Sequence, residues 1–397
     1  MRIAVIWSNF GPYHVARLDA AGKRLRSEDG ELFGLEICTG NSVYAWNPVA
    51  GAHAFRRVTV HPGRDYQDIT VRRVRSTTRQ ALDSLLPDVV GIPGWRAPEA
   101  LSALAWCLEH RRGAVIMSES NEHDAARNAC VEIAKQRIVG ACDAALVGGQ
   151  SHFRYLVRLG MEPGRIFTGY DAVDNAFFAG ETVKVRQAGS SIREQEQLPR
   201  HFFLTCCRLV GVKNLFRLLD AYGIYRQRTA DPWGLVICGD GVLSDQLRAY
   251  AGSKAIKGVT WAGFVQVDRL PRFYGLADAF VLASTVEPWG LVVNEAMASG
   301  LPVLVSDRCG SAELVEEGKN GFLFDPSSVD QLAQRLCEMS TGSHDLASMG
   351  EISRRRIEKY TPDVFAERLV TAARQAVETR AGRTATTMDR VLTWILQ

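Results

Sequence analysis

The sequence predicts an α/β protein with two doubly wound parallel sheets, one in each half of the chain. Short apolar runs, hydrophobic on both faces as buried parallel strands require, alternate with segments of helical spacing and are separated by Gly or Pro. The length of 397 residues exceeds the roughly 250–300 residues beyond which one hydrophobic core stops growing. The chain is 46% hydrophobic and 23% charged, which is enough apolar material for two cores. We therefore expect two Rossmann-like domains.

The elements of the first half follow one another without a long break. The buried strand RIAVIW opens the chain, Gly11-Pro12 ends it, and HVARLDAAGKRL continues with helical spacing. The same alternation then gives strand LFGLEICTG, helix TTRQALDSLLP, strand DVVGIPG, helix PEALSALAWCLEHRRG, strand AVIMSES, a helix around residues 125–140, strand DAALVGG, helix SHFRYLVRLG and strand RIFTGYDAV. This run predicts a first domain over residues 1–178.

The second half repeats the pattern after a polar interval. Residues 179–200 show neither period, and we assign them as a linker. Strand–helix alternation resumes with HFFLTCCRL and ends with VDQLAQRLCEMS, which predicts a second domain over residues 201–362. Helical segments follow over residues 363–397 and end in MDRVLTWILQ.

Charge and cysteine content disfavour several classes of protein. The formal net charge is only +3, whereas a dedicated nucleic-acid binder has a strongly basic surface, so we expect no nucleic-acid partner. The nine cysteines are odd in number and none has C-x-x-C spacing, which favours free thiols in a reducing compartment. The first apolar segment is too short for a signal peptide, and no run reaches the ~18 apolar residues of a membrane span. We expect a soluble, cytoplasmic protein, with peripheral membrane contact left open.

Two common nucleotide-binding motifs are absent. The first strand–helix turn, SNFGPYH, has one glycine and lacks the G-x-G-x-x-G fingerprint, and no G-x-x-x-x-G-K-[ST] phosphate loop occurs. A nicotinamide dehydrogenase and a P-loop NTPase are therefore disfavoured. Because doubly wound sheets bind ligands beyond the carboxyl ends of their strands, the residues that follow the strands are the candidate site residues.

The most informative stretch is residues 285–310. The strand DAFVLAST ends in a loop with Glu287, and the next helix contains Glu295. The free N–H groups of the first turn, at Gly290, Leu291 and Val292, could hold a phosphate, and the two carboxylates could accept hydrogen bonds from sugar hydroxyls. A carboxylate that complements the helix dipole, together with a solvated helical Glu, is the alternative interpretation.

Two cationic side chains form a second group of candidate site residues. Arg208 follows a buried strand and Lys213 opens the next helix. Both are expected at the carboxyl end of that strand, where they could neutralise a diphosphate. Ordinary surface ion pairing is the alternative. A third tight turn, Gly239-Asp240-Gly241, follows the strand WGLVIC.

The second half resembles the donor domain of retaining glycosyltransferases of family 4, which have the GT-B fold. The resemblance covers roughly residues 202–336 and includes the Glu-x7-Glu element formed by Glu287 and Glu295, which is characteristic of that family. The other matching motifs, in the family's order, are R-L-x-x-x-K, G-D-G, W-A-G-F-V, L-A-D-A-F-V-L, E-P-W-G-L-V-V-N-E, A-S-G-L-P-V, C-G-S-A-E-L-V and G-K-N-G-F-L-F.

The resemblance implies a role for each candidate. Arg208 and Lys213 would bind the donor diphosphate in place of a metal, Glu287 would face the transferred sugar, and Glu295 would hold the nucleotide ribose. It further implies that Phe264 and Val265 contact the base and that Gly290, Leu291 and Val292 contact the phosphates. The turn of Gly239, Asp240 and Gly241 is also implied to contact the donor. Two dipeptides depart from the family's pattern: Gly310-Ser311 stands for Gly-Gly and Lys213-Asn214 for Lys-Gly. Neither change removes a charge.

The first half resembles the family more loosely. Gly11 matches a glycine that approaches the donor phosphates, and residues 171–174 (DAVD) resemble the family's Asn-Gly-Val-Asp. Many members have a sugar-contacting histidine after a mid-domain strand, where this chain has Glu119 and, four residues later, His123. We take Glu119, His123 and His14 as candidate sugar or acceptor contacts, while a helix-cap or surface role for a lone histidine stays open.

Taken together, the resemblance predicts a GT-B α/β protein with two facing Rossmann-like domains and a cleft between them. The C-terminal domain would bind the donor, the N-terminal domain the acceptor, and the last helices would cross back to the N-terminal domain. The implied activity is retaining transfer of a hexose from a UDP- or GDP-sugar to a hydroxyl of a saccharide, lipid-linked or small-molecule acceptor. No tightly bound cofactor and no metal are expected. A sugar phosphorylase or sugar-nucleotide epimerase of the same fold, and a non-catalytic sugar-nucleotide sensor, are the alternatives.

Basic residues cluster between positions 56 and 79. They outnumber the acidic Asp65 and Asp68 and comprise Arg56, Arg57, Arg64, Arg72, Arg73, Arg75 and Arg79. A solvated face is one interpretation. An anchor for anionic lipid, or a seat for an anionic acceptor, is the other.

Overall fold

The computed structural model describes residues 1–40, 46–47, 49, 51–124 and 127–383. The described residues divide into two compact units: residues 1–173 together with those from residue 360 to residue 383, and residues 174–359. Each unit is built on one parallel sheet with intervening helices. The predicted α/β fold class with two Rossmann-like domains is confirmed.

The first unit has a seven-stranded parallel sheet. Its strands are β1 (Arg2–Trp7), β2 (Glu31–Gly40), β3 (Arg56–Asp65), β4 (Val89–Pro93), β5 (Gly113–Ser118), β6 (Ala144–Val147) and β7 (Ile166–Thr168). Their order is β3-β2-β1-β4-β5-β6-β7. The order reverses between β1 and β4, and such a reversal opens a crevice at the carboxyl ends of the two strands.

Both faces of this sheet are buried. Ile3, Val5 and Trp7 of β1 pack in one core cluster, whereas Ala4 and Ile6 pack in another, because successive strand residues point to opposite faces. The helices between the strands are α1 (Pro12–Arg26), α2 (Val71–Leu85), α3 (Pro98–His110), α4 (Ala129–Ala141) and α5 (Gln150–Arg158). The helix expected around residues 125–140 is α4, which begins at Ala129. Residues 125–126 lie outside the described part of the chain.

The second unit has a six-stranded parallel sheet. Its strands are β8 (Phe202–Cys206), β9 (Gly234–Cys238), β10 (Val259–Gly263), β11 (Ala279–Leu282), β12 (Val303–Ser306) and β13 (Gly321–Phe324). The order β10-β9-β8-β11-β12-β13 reverses between β8 and β11. The helices are α6 (Asn175–Gln187), α7 (Gly189–Gln195), α8 (Leu215–Arg228), α9 (Ser244–Ser253), α10 (Leu270–Leu276), α11 (Leu291–Ala298), α12 (Val329–Ser340) and α13 (Leu346–Ile357).

Residues 179–200, assigned from the sequence as a linker, contain most of α6 and all of α7 and lie in the second unit. Helix α6 buries Phe178, Thr182 and Val185, at spacings of four and three residues that place them on one helical face. Two of the three are apolar and the third is a threonine, so few apolar positions mark the helical period in the sequence. The boundary between the units lies at residue 174 rather than at residue 178.

The C-terminal helix α14 (Pro362–Gly382) belongs to the first unit. It buries Phe365, Leu369 and Ala373 in the core cluster that contains Ile3 and Val5 of β1. The sequence predicted that the last helices return to this domain. The final helical segment expected there, MDRVLTWILQ, lies outside the described residues.

Candidate functional site

The candidate donor residues lie at the point where the second sheet reverses its strand order. Arg208 and Lys213 follow β8, and Glu287 and α11 follow the neighbouring strand β11. Since parallel strands end at the same edge, residues that are 74 positions apart in the chain come into contact there. This is the position at which open α/β sheets bind ligands.

Lys213 and Glu287 form an ion pair. The Lys213 Nζ donates to Glu287 Oε2, and the two side chains are only 13% and 11% exposed. Glu287 Oε2 also accepts from Ser284 Oγ at 3.0 Å. Burial alone would lower the pKa of Lys213, but the charge and hydrogen bond of Glu287 raise it above its usual value. The pair therefore holds a protonated ammonium at the carboxyl edge of the sheet.

Asn214 accounts for one departure from the family's pattern. Its backbone has φ +60° and ψ +32°, the left-handed conformation that glycine adopts most easily and asparagine tolerates. Its side-chain amide donates to Ala283 O at 3.0 Å and Pro326 O at 2.8 Å. Asn214 thus keeps the turn that carries Lys213 and also ties that turn to the end of β11.

The loop that carries Glu287 is held by the segment after β12. Gly310 N donates to Glu287 O and Ser311 N to Trp289 O, both at 3.0 Å. Ser311, the second departure, is fully buried, and its Oγ has no hydrogen-bond partner among the described residues. Gly290 has φ +102°, and a Cβ there would lie 2.9 Å from a Leu282 methyl carbon and 3.2 Å from Glu287 Cγ. Both the positive φ and the crowding around this Cα therefore favour glycine.

Helix α11 begins with uncapped backbone amides. Gly290 is the residue before its first turn and offers no side-chain oxygen to the following N–H groups. The first-turn residues Leu291 and Val292 are half-buried at this edge. Trp289 Nε1 donates to Asn294 Oδ1 at 2.8 Å, which fixes the entry of the chain into the helix. The positive end of the helix dipole lies beside the pair of Lys213 and Glu287.

Glu295 lies one turn deeper than the first-turn amides and is 1% exposed. Its Oε2 accepts a hydrogen bond of 2.8 Å from Tyr274 OH, which belongs to α10. Tyr274 is not among the candidate residues that the sequence predicts. A buried aromatic on an apolar helix normally indicates core packing, so only the contact with Glu295 reveals its second role.

The turn of Gly239, Asp240 and Gly241 supports the loop that carries Arg208. Gly239 has φ +144°, and a Cβ on it would lie 1.8 Å from Cys207 O; a Cβ on Gly241 would lie 2.6 Å from Leu209 O. Leu209 N donates to Asp240 O at 2.8 Å. The glycines are thus required by a neighbouring loop of the protein itself. Arg208 is exposed in that loop.

Asp240 and the residues after β10 complete this edge. The Asp240 carboxylate accepts from Ser244 Oγ and Gly241 N, and these hydrogen bonds lower its pKa. Phe264 directly follows β10 and is 38% exposed, whereas Val265 is buried. An exposed aromatic at the carboxyl end of a strand is suited to stacking against a planar ring.

In the first unit, Gly11 and His14 follow β1 at the strand-order reversal. Gly11 N donates to His14 Nδ1 at 3.0 Å, so the proton of the neutral ring is assigned to Nε2. Burial, and then the charge of Arg17, lower the pKa of His14 to about 3. The His14 ring lies 4.5 Å from the ring of Trp7, whose Nε1 donates to Tyr170 OH at 2.8 Å. His14 is therefore an uncharged hydrogen-bond donor.

Glu119 and His123 have different surroundings. Glu119 directly follows β5, and burial together with the charge of Glu119 raises the pKa of Tyr170. The His123 side chain is 62% exposed, with Nε2 3.6 Å from the Glu122 carboxylate. The structure therefore places Glu119, and not His123, beside the groups at the carboxyl edge of the first sheet.

A cavity of about 440 Å³ lies at the opposite, amino edge of the first sheet. It contains none of the candidate residues. Three of its four arginines pair with a carboxylate: Arg112 with Asp88, Arg374 with Glu28 and Arg380 with Asp143. The fourth, Arg111, donates to the backbone carbonyl of Arg383 at 3.1 Å. Most of the positive charge of the cavity is therefore already paired.

Residues 190–356 match the family model for glycosyl transferases group 1. This stretch holds every candidate residue of the second unit. Among curated proteins, the chain is 40% identical over 102 residues to spore coat protein SA of Bacillus subtilis, covering 25% of this chain and 27% of that protein. It is 32% identical over 176 residues to a GDP-mannose-dependent phosphatidylinositol monomannoside mannosyltransferase of Mycobacterium tuberculosis, covering 42% and 46%. The chain thus spans between about a quarter and a half of the length of these relatives.

Solved structures of glycosyltransferases resemble nearly the whole chain. Sucrose-phosphate synthase of Thermosynechococcus elongatus gives a TM-score of 0.72 at 17% identity, covering 94% of this chain and 98% of that one. The galactosyltransferase WaaB gives 0.66 at 20% identity, covering 94% and 99%. These similarities support the GT-B assignment of the fold.

Neither a metal cluster nor a membrane-spanning helix is seen in the part of the chain that the structure describes. No group of three or more His, Cys, Asp or Glu side chains there is placed to hold a metal ion. None of the described helices combines the length and apolarity that crossing a membrane requires. The cysteines, all of which are described, are free thiols.

Proposed function

We propose that the protein is a retaining glycosyltransferase that moves a hexose from a UDP- or GDP-sugar to a hydroxyl of a saccharide, lipid-linked or small-molecule acceptor. One observation carries the proposal: a protonated Lys213, held by Glu287, lies beside the uncapped first turn of α11. Fixed positive charge of this kind suits a leaving diphosphate. The match of this unit to glycosyl transferases group 1 supports it.

The donor would bind along the carboxyl edge of the second sheet. Its phosphates would accept hydrogen bonds from the first-turn amides of α11 and from Lys213 and Arg208. Glu295, which lies one turn deeper than the first-turn amides, would accept hydrogen bonds from the ribose hydroxyls, and Phe264 would pack against the base. Glu287 would accept from a hydroxyl of the transferred sugar.

In the reaction, the bond between the anomeric carbon and the diphosphate oxygen breaks. The sugar becomes oxocarbenium-like, and negative charge grows on the leaving phosphate. Lys213, Arg208 and the α11 amides stabilise that charge more strongly in the transition state than in the ground state, which is the requirement for catalysis. The acceptor oxygen forms the new bond to the anomeric carbon on the face from which the diphosphate departs, its proton passes to the leaving phosphate, and the anomeric configuration is retained.

The acceptor would bind at the carboxyl edge of the first sheet. Gly11 and His14 after β1, and Glu119 after β5, lie at that edge. The neutral His14 offers an N–H donor and Glu119 offers acceptor oxygens, which together suit a hydroxyl-bearing ligand. No tightly bound cofactor is needed for this chemistry.

A donor screen tests the proposal. Purified protein is incubated with a panel of UDP- and GDP-hexoses, and nucleotide release is measured with and without simple saccharide acceptors. We expect slow hydrolysis of one donor class, and transfer products whose anomeric configuration by NMR matches the donor. Lys319→Ala, which removes an exposed lysine from the same unit, is the matched control for Lys213→Ala. Absence of nucleotide release from every donor, or products with inverted configuration, would contradict the proposal.

A further inference from the structure

The seven arginines between positions 56 and 79 differ in their surroundings. Arg56, at the amino end of β3, is exposed and lies over the Phe33 ring, and Arg75 is half-buried. Arg57 pairs with Glu36 at 2.8 Å and Arg79 pairs with Glu109. By contrast, Arg64, Arg72 and Arg73, here called the arginine patch, are exposed and form no ion pair with any described residue. Among the residues that the structure does not describe, only Asp389 has an acidic side chain that could pair with an arginine. The patch is therefore a local surplus of positive charge.

The patch is assembled from two elements. Arg64 lies near the end of β3, whereas Arg72 and Arg73 lie in the first turn of α2. Both elements meet at His61, whose Nε2 lies 3.1 Å from Thr77 Oγ1 of α2. Burial lowers the pKa of His61, and the charges of Arg73 and Arg64 lower it further. Two guanidinium groups from separate elements thus act on the same imidazole.

The location makes this concentration of charge unfavourable for the protein alone. The N-terminus of a helix carries partial positive charge, and acidic side chains normally occupy its first turn. The first turn of α2 contains no acidic residue, and Thr70 Oγ1 caps a single amide, that of Arg73, at 3.4 Å. Two carboxylates precede the helix in the sequence: Asp65 already accepts from Gln67 N at 3.3 Å, and Asp68 is exposed and forms no ion pair with a described residue. A bound anion would relieve this repulsion.

The patch also lies where a ligand is expected. It lies at the end of β3 and the start of α2, at the same carboxyl edge of the first sheet as Gly11, His14 and Glu119. Val71, between Thr70 and the two arginines of α2, is 58% exposed. An anionic group bound here would thus have an apolar side chain beside it. A guanidinium group can donate two parallel hydrogen bonds to the oxygens of a phosphate or of a carboxylate, and it matches these two anions better than other common anions. A phosphate carries up to twice the charge of a carboxylate.

We propose that the arginine patch binds a phosphate ester, and, resting on the proposed glycosyl transfer, that this phosphate belongs to the acceptor. Two sources share this chemistry: the headgroup of an anionic lipid and a free phosphorylated acceptor. The patch would position the acceptor through its phosphate, while the hydroxyl that receives the sugar lies elsewhere along the same edge. Arg64, Arg72 and Arg73 touch no reacting atom in this arrangement and set acceptor specificity.

Binding of defined probes tests the proposal. The full chain is mixed with phosphatidylcholine vesicles with and without phosphatidylglycerol, and separately with glycerol 3-phosphate or glycerol. The variants are Arg72→Ser/Arg73→Ser and Arg64→Ser. Arg24→Ser/Arg26→Ser is the control, because it removes two exposed arginines from α1 of the same unit. Thermal unfolding of each variant shows that the fold is intact.

We expect binding to phosphatidylglycerol vesicles or to glycerol 3-phosphate that weakens in 0.5 M salt and is absent with the neutral probes. The double variant should bind anionic vesicles about 30-fold more weakly, since each arginine near an anionic surface contributes about fivefold. Vesicle binding alone would identify a lipid headgroup as the source, and glycerol 3-phosphate binding would identify a free phosphate ester. Binding of neither probe, or an equal loss in the control variant, would overturn the proposal. These measurements need no turnover, so binding without sugar transfer would leave the patch standing while the proposed function fails.

Discussion

Replacing Lys213 by alanine tests the proposed diphosphate site most directly. The substitution removes the ammonium that lies beside the first turn of α11 and leaves the Glu287 carboxylate without its cation. Because both side chains are nearly buried, solvent screens this charge far less than that of a surface pair, which contributes only about 0–1 kcal/mol. Loss of one such contact to developing charge costs about 3–4 kcal/mol in the transition state, or ~10²–10³ in rate.

The assay must separate turnover from binding. Nucleotide release is measured under saturating donor for wild type, Lys213→Ala and Lys213→Arg, and calorimetry gives the affinity for the free nucleoside, which lacks phosphate. We expect the alanine variant to lose turnover and to keep nucleoside affinity, and the arginine variant to recover part of the rate because it retains the charge. The pKa of Lys213 lies above its usual value of about 10.4. Its protonated form is fully populated below that value and is lost only as the pH rises through the raised pKa, so no lysine titration should affect the rate between pH 7 and 9. A Lys213→Ala rate within about threefold of wild type would refute the assignment.

Three further predictions concern the rest of the site. Glu295→Ala should weaken nucleotide affinity by about 10–100-fold in calorimetry, since hydrogen bonds to a charged group contribute about 1.5–3 kcal/mol, and Glu295→Gln should be milder; unchanged affinity in the alanine variant would contradict the ribose role. Glu119→Gln should lower the rate of transfer more than the rate of donor hydrolysis, whereas His123→Gln, a change at an exposed side chain, should alter neither; equal effects of the two substitutions would remove Glu119 from the acceptor site. Transfer should survive millimolar EDTA, because Lys213, Arg208 and the α11 amides are fixed to the protein; complete loss of activity that Mg²⁺ or Mn²⁺ restores would show that the diphosphate site is wrongly assigned.

The parallel sheets could be predicted from the sequence because burial on both faces leaves a clear signal. Strand β1 is apolar at five consecutive positions, and these residues divide between two cores. Strand β3 was missed for the opposite reason. It lies at the sheet edge, and its RRVTVHPGRD sequence is largely half-buried or exposed, so charge obscures the alternation of Val58 and Val60. Helix α6 was missed because it buries few apolar residues.

The sequence predicts a separate role for each candidate residue, whereas in the structure Lys213 and Glu287 contact each other. The resemblance of the sequence to the family implies Lys213 at the diphosphate and Glu287 at the sugar, but it does not predict a contact between them. The pair depends on β8 and β11 being neighbours, which is a property of strand order and cannot be derived from local spacing. The partner of Glu295, Tyr274, is 21 residues away on another helix and leaves no local signal.

The pairing of Lys213 with Glu287 has a consequence for how the site would work. The ammonium is protonated, nearly buried and held in place by Glu287, so the cost of desolvating and orienting it does not arise during the reaction. An arriving diphosphate would compete with Glu287 for the same ammonium, and Ser284 Oγ, already 3.0 Å from Glu287 Oε2, would remain as a donor to the released carboxylate. The carboxylate would then be free to accept from a sugar hydroxyl. Binding of the donor would thus replace the ion pair with two contacts, one between Lys213 and the leaving diphosphate and one between Glu287 and the transferred sugar. Gly290, at φ +102°, adopts a conformation that disfavours other residues, and a Cβ there would lie within 3.2 Å of Glu287 Cγ, so glycine at this position leaves room for the carboxylate.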